Sequence, residues 1–182
     1  MTNSPTTSPS IAAALMSAMA LCATFATSLE GQTAHAGRTS IEQNKELVRR
    51  WSEELWSQGN LDVADEIVAS DYVRHDPGDP FPARGPEDVK RIVSMLRAMF
   101  PDFHIDVEAI VAEGDIVVSR YTATATDTVG YMGMPPTGKT IRTPAMQMFR
   151  FAGGKIVESW AARDDLGTLK QLGHFPVGPP HR

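Results

Sequence analysis

The stretch Trp160-Ala-Ala-Arg163-Asp164-Asp165-Leu-Gly-Thr-Leu-Lys-Gln171-Leu-Gly173 places two carboxylates where a strand-like run gives way to a helical one. A carboxylate at the end of a half-buried strand is a candidate general base. Apolar walls disfavour its charged form and raise its basicity above the ordinary pKa of about 3.9. Such a group suits removal of a proton next to a carbonyl. Asp164 is the first candidate for that work. The same position also suits a helix N-cap, and the doublet lets one of Asp164 and Asp165 cap the helix while the other stays free.

Strand periodicity sets Ile156, Glu158, Trp160, Ala162 and Asp164 on one face, and Val157, Ser159, Ala161 and Arg163 on the other. Gly153-Gly154 reads as a two-residue hairpin turn that pairs Ala152 with Lys155 and sets Trp160 opposite Gln147. Trp160, Gln147, Phe149 and Asp164 are then expected to line one apolar pocket, with Arg150 turned away from Trp160. His75, in Tyr72-Val-Arg-His75-Asp-Pro, is a candidate to hydrogen-bond a substrate oxygen or to tune the carboxylate, or else a loop residue bonded to backbone. His104 falls on the polar side of its strand. Met132, Met134, Met146 and Met148 suit an adaptable cavity or an ordinary core.

Several chemistries lack their residues. The five His show no paired spacing for a metal, and the single Cys, Cys22, permits neither an intrachain disulfide nor a Cys-based zinc site. No glycine-rich phosphate loop follows a strand. A net charge of −5 with scattered Lys and Arg argues against nucleic acid as a partner. At 182 residues and 42% hydrophobic content, the chain is expected to form one domain plus an extension.

That extension is N-terminal. Residues 11–29 are rich in Ala, Leu and Met and carry no charge, and Ala34-His-Ala36 matches the small-x-small pattern cut by signal peptidases. Residues 1–36 therefore read as a signal peptide of a secreted or periplasmic protein with no stable membrane association after cleavage. A retained membrane anchor or a cytoplasmic protein are the rival readings. Residues 37–43 read as a linker and 174–182 as a tail.

The elements that must position the carboxylate follow from pattern and punctuation. Ser40 with Gln43 forms a capping box, and Leu47, Val48, Trp51 and Leu55 make one stripe, predicting a helix over 41–58 stopped by Gly59-Asn60. A short helix over 62–68 and a Pro/Gly-rich loop over 76–84 come next. Pro86 opens a third helix, with Val89, Ile92, Val93, Leu96 and Met99 inward and Pro101 at its end. Strands are expected from Phe103, over 116–126, over 140–151 and over 155–163, with a glycine- and proline-bearing loop over 127–139 and a last helix over 165–172. Helices followed by antiparallel strands give an α+β domain with a curved sheet wrapped against the helices.

From about Asn44 to Gly173 the chain resembles the SnoaL-like polyketide cyclases, also called ester cyclases. The matching stretches are Tyr72-Val-Arg-His75-Asp-Pro, Phe100-Pro-Asp102, Glu113-Gly-Asp115, Gly130-Tyr-Met-Gly-Met-Pro-Pro-Thr-Gly138-Lys, Phe149-Arg-Phe, Gly154-Lys-Ile-Val-Glu-Ser-Trp160 and Asp164 through Gly173. The resemblance implies the cone-shaped α+β fold of the nuclear transport factor 2-like superfamily, homodimers, and an apolar small-molecule substrate. It implies no cofactor: one Asp starts an intramolecular aldol condensation of a polyketide ester by removing an acidic proton. By the Trp-x-x-x-Asp spacing that Asp is Asp164, with His75 and Trp160 in the pocket. Ketosteroid isomerase is similar in fold and logic. Many relatives carry Thr-His before the glycine-rich loop, whereas this chain has Thr126-Asp127, an anion at a position implied to bind substrate.

Two other functions fit the same pattern. Enzymes of similar fold open epoxides with water held by an Asp–Arg–Asp set, which here would need Asp164 and Arg150 to converge. A non-catalytic module would use the cone to hold an apolar ligand or to dimerise.

Overall fold

Ser40 begins a helix whose apolar stripe is buried as its spacing predicts, with Val48, Trp51 and Leu55 at most 1% exposed. A computed structural model describes residues 40–78 and 81–175. The signal-peptide reading of residues 1–36, with Cys22, lies outside the described residues, as does the tail beyond Phe175.

The first helix, α1 (residues 40–57), is α-helical to residue 50 and widens to π-helix over Trp51–Ser57. Gln58 N–H donates to the Glu53 carbonyl at 2.9 Å, an i→i−5 bond. Such widening is frequent at functional sites. Here it brings Trp51 and Trp56 together, with ring centroids 5.8 Å apart, and both indoles line one cavity. Period-3.6 reasoning places Trp51 in the core and gives no signal for Trp56.

Helix α2 (Asp62–Ile67) leads directly into β1 (Val68–His75), and α3 (Gly85–Met99) follows the loop. The remaining elements are β2 (His104–Glu113), β3 (Ile116–Thr126), β4 (Thr140–Ala152), β5 (Lys155–Arg163) and α4 (Asp165–Leu172). These five strands form one curved sheet in the order β1-β5-β4-β3-β2, antiparallel except where β1 runs parallel to β5. The α+β class is as expected from sequence. Strand β1 is the element the sequence reading omits. Its burial does not alternate, and its pairing partner lies more than 80 residues away, with His75 beside Trp160.

The β4–β5 hairpin corrects the expected register. Ala152 pairs with Lys155 and Phe151 with Ile156, but Arg150 pairs with Glu158, so Val157 is an extra residue in β5. This bulge moves every later side chain of β5 to the other face. Trp160 therefore sits opposite Met148 rather than Gln147, on the outer face of the sheet, and Arg150 shares that face with it. Ser159 and Arg163 point inward instead, level with Phe149 and Ala145 of β4.

The main core lies between the inner sheet face and the helices. Phe149, 0% exposed, meets Trp51 edge-on at 5.6 Å, and Tyr72 packs against Trp51 at 6.2 Å. Burying side chains of this size contributes roughly 1.5–3 kcal/mol each.

Candidate active site

Inward-facing residues of β2–β5, together with α1, α3 and the 127–139 loop, enclose a cavity of about 410 Å³. That volume is typical of small-molecule sites. Most of the wall is apolar, built from Trp51, Trp56, Ile92, Leu96, Met99 and Phe103. One end is polar, and Arg74, Tyr131, Thr143, Gln147, Arg163 and Asp165 face it.

The polar end is built from two Arg-x-Asp segments. Arg74 lies near the end of β1 and Arg163 ends β5, and the chain just past each strand end brings Asp76 and Asp165 to the same corner once β1 and β5 lie side by side. Asp76 is the hub. Its side chain is 3% exposed, and its Oδ2 accepts from Arg74 Nη2 at 2.7 Å and from Arg163 Nη1 at 2.6 Å. Gly78 N–H donates to Oδ1 at 2.9 Å. Arg163 Nε lies 3.5 Å from Asp165 Oδ1, and Tyr131 donates its hydroxyl to that same oxygen at 2.7 Å. Arg74 also lies over the Trp56 ring, 5.1 Å from its centroid. Burial pulls the Arg163 guanidinium down, and the facing carboxylates of Asp76 and Asp165 more than reverse this, holding it firmly charged. Tyr131 is pushed above the ordinary phenol range by burial and by its hydrogen bond to Asp165. Beneath the cavity, Tyr72 Oη and Ser159 Oγ are 2.6 Å apart, and Gln147 Nε2 donates to Ser159 Oγ at 3.2 Å.

The aspartate doublet divides its two roles. Asp164 is exposed, and its Oδ1 accepts the Gly167 N–H at 2.8 Å as the N-cap of α4. A side chain at Gly167 would collide with that carboxylate, so glycine permits the close cap. Asp164 does not line the cavity; Asp165, one residue on, does. The expectation that Asp164 shares a pocket wall with Trp160 fails because the bulge at Val157 precedes both residues.

The other expected pocket residues are dispersed. His75 stacks on Trp160 on the outer face, with centroids 5.2 Å apart and planes at 10°. Its Nε2 meets Glu158 Oε1 at 2.8 Å, while Arg150 binds Glu158 Oε2 at 2.6 Å. Arg150 and His75 hold the Glu158 carboxyl below its usual range. Phe149 lies in the core behind the cavity wall. Gln147 lines the cavity.

Asp127 is not a cavity residue either. It is 0% exposed, and its carboxylate accepts from Gly130 N at 3.0 Å, Thr137 N at 2.9 Å and Thr137 Oγ1 at 2.8 Å. Its backbone closes the loop neck, donating to the Lys139 carbonyl at 2.9 Å and accepting from Gly138 N at 2.8 Å. An anion fits here because three donors converge on it. Asp127→Ala leaves those donors unpaired, at about 1–3 kcal/mol for each one that stays buried. A thermal unfolding midpoint lowered by several degrees is the expected result; an unchanged midpoint would show that the loop holds itself.

Sequence reasoning missed Arg74, Asp76, Tyr131 and Arg163, and it named Asp165 only as the alternative cap of α4. The signal available was the Arg-x-Asp spacing, which occurs at the end of both β1 and β5. Among the described residues, no group of three or more His, Cys, Asp or Glu is arranged to hold a metal.

Comparisons with known proteins agree with this architecture. Residues 46–172 match the family model described as SnoaL-like polyketide cyclase. The aklanonic acid methyl ester cyclase DauD of Streptomyces sp. (strain C5) is 28% identical over 151 residues, covering 75% of this chain and 91% of that protein. A crystal structure of a candidate polyketide cyclase from Acidithiobacillus ferrooxidans is 36% identical, with a TM-score of 0.66 over 72% of this chain and 95% of that one. A Catenulispora acidiphila protein of ketosteroid isomerase-like fold is 19% identical, with a TM-score of 0.60 over 74% of this chain and 98% of its own, a likeness of fold alone. With the match running from α1 to the end of α4, this chain belongs to the SnoaL-like polyketide cyclase family.

Proposed function

We propose that this protein is a cofactor-independent cyclase, of the isomerase or lyase class. It would remove a proton next to a carbonyl of an apolar, polyketide-type ester and close a carbon–carbon ring within that molecule. The observation that carries this reading is Asp165. Among the described residues it is the carboxylate that lines the cavity, and nothing there bonds its Oδ2. The apolar wall suits a flat, largely aromatic body, and the polar end suits its carbonyl groups. The ester-cyclase relative supports that substrate class.

Charge balance favours the chemistry. At rest, the Arg163 guanidinium faces the carboxylates of Asp76 and Asp165. Once Asp165 takes the substrate proton, Arg163 loses the charge of one of its two facing carboxylates, and its positive charge lies beside the new enolate. Stabilisation placed in advance where charge develops is commonly the largest contribution to catalysis.

The test is incubation of the full chain with aromatic β-keto methyl esters in deuterated water. Exchange of the α-proton above the buffer rate, followed by ring closure where a second ketone is in reach, is the expected result. Binding that quenches tryptophan fluorescence without any exchange would favour a ligand-holding module instead.

A second reading rests on Asp76–Arg163–Asp165, an Asp–Arg–Asp set made by residues other than the expected Asp164 and Arg150. In such a set Asp165, which lines the cavity, would take a proton from a water as the water oxygen bonds an epoxide carbon, and the C–O bond that breaks would leave a ring oxygen to which Asp165 returns that proton. Incorporation of labelled water oxygen into a diol from an apolar epoxide would favour this reading over ring closure.

A further inference from the structure

We propose that Tyr131 is a second catalytic residue of this site, passing its hydroxyl proton to the carbonyl oxygen under attack and recovering a proton from Asp165. This rests on the reading of Asp165 as the base.

Three observations place Tyr131 there. Its hydroxyl makes its hydrogen bond to Asp165 Oδ1, at 2.7 Å, and both residues line the cavity. Its ring packs against Phe100 at 6.4 Å, so packing alone would be served equally well by Phe. The loop that presents it is pre-set at a cost. Gly130 has φ 99° and approaches the Met134 carbonyl too closely for any side chain. Met132 has φ 51°, the positive-φ non-glycine among the described residues. That conformation costs roughly 1–2 kcal/mol and recurs at working sites. The buried Asp127 carboxylate then holds both arms of the arch.

The proton balance closes without a co-reactant. Asp165 takes the proton from the carbon between two carbonyls, leaving its electron pair in the enolate. The enolate carbon bonds to the ketone carbon, and the C=O π pair moves onto oxygen. That oxygen takes the Tyr131 proton. The phenolate is reprotonated by the Asp165 carboxylic acid, after a half-turn of the carboxyl group, across the contact seen at rest. One C–H is exchanged for one O–H, and both residues return to their starting forms. The coupling has the right direction: the hydrogen bond to the Asp165 carboxylate is one cause of the raised Tyr131 value. It disappears as Asp165 is neutralised, so the phenol becomes a readier donor when the alkoxide forms.

The experiment compares wild type and Tyr131→Phe, as full chains, on a β-keto methyl ester bearing a ketone able to close a six-membered ring. Two rates are read: deuterium entry at the α-carbon and ring closure. Ring closure is expected to fall about 100-fold while exchange stays within about 3-fold, because loss of one acid–base group removes at least that much. Ring closure at the wild-type rate overturns the proposal. So does an equal fall in both rates, which would make Tyr131 a positioning residue for Asp165. A wild type that neither exchanges nor closes any such ester overturns the base assignment, and the relay with it. Independently of any substrate, ultraviolet titration should show Tyr131 ionising at lower pH in Asp165→Asn than in wild type. An unmoved titration would break the coupling on which the relay depends.

Discussion

Asp165→Asn is expected to lower kcat/KM for ring closure by about 10²–10⁴-fold, the range for removing a general base. The amide keeps the shape of the carboxyl and can still accept from Tyr131 and from Arg163, so the cavity should retain its form. It cannot take a proton from carbon. The neighbouring substitution provides the contrast. Asp164→Ala removes the N-cap of α4, which accepts from Gly167 N at 2.8 Å. Its expected effect is about 0.5–2 kcal/mol of stability, with the chemical step untouched. Steady-state kinetics and thermal unfolding on the two variants separate these roles. Loss of activity in Asp164→Ala with full activity in Asp165→Asn would reverse the assignment.

Asp76→Asn is expected to produce the largest loss of stability in the site. The Asp76 side chain is 3% exposed, that of Arg74 5%, and both Arg74 and Arg163 donate to the same Asp76 oxygen. Removing the shared carboxylate of a buried charge set takes from both guanidiniums the anion that they hold in common, at a cost of about 3–5 kcal/mol. Exposed pairs such as Arg49–Glu46, 3.1 Å apart, contribute far less because solvent screens them. A denaturant midpoint that falls at constant m value is the expected reading. An unchanged midpoint would mean that the other partners of the two guanidiniums suffice to hold them.

Much of the scaffold was legible before any coordinates. The stripe Val48, Trp51, Leu55 specifies a buried helix face, and Val89, Ile92 and Val93 specify another. The runs over 116–126 and 140–151 read as strands, and β3 and β4 form there. Gly153-Gly154 sets the hairpin start, with Ala152 beside Lys155. These features are local, since each depends on periodicity or turn chemistry within a few residues.

The site was legible only in part. Its location at the end of the last strand and its carboxylate doublet were in the sequence, and so was the choice that one aspartate caps while the other stays free. Which of the two does which was decided by Val157, the single extra residue of β5. One inserted residue reverses every side chain beyond it, and so turns Trp160 and Asp164 out and Arg163 in. Nothing in the local composition of Lys155–Arg163 distinguishes a bulged strand from a regular one. The bulge becomes readable only against the facing residues of β4.

The sequence by itself determined the class of fold, the helix faces, the hairpin and the presence of an acid pair at a strand-to-helix junction, because short-range periodicity and turn residues carry that information. Tertiary structure alone decided that β1 joins β5, that two Arg-x-Asp segments far apart in the chain share the buried Asp76, and that Asp165 opens into the cavity under Tyr131. Those outcomes depend on strand register and long-range burial, and a charged side chain meets its partners only after the sheet has closed around it.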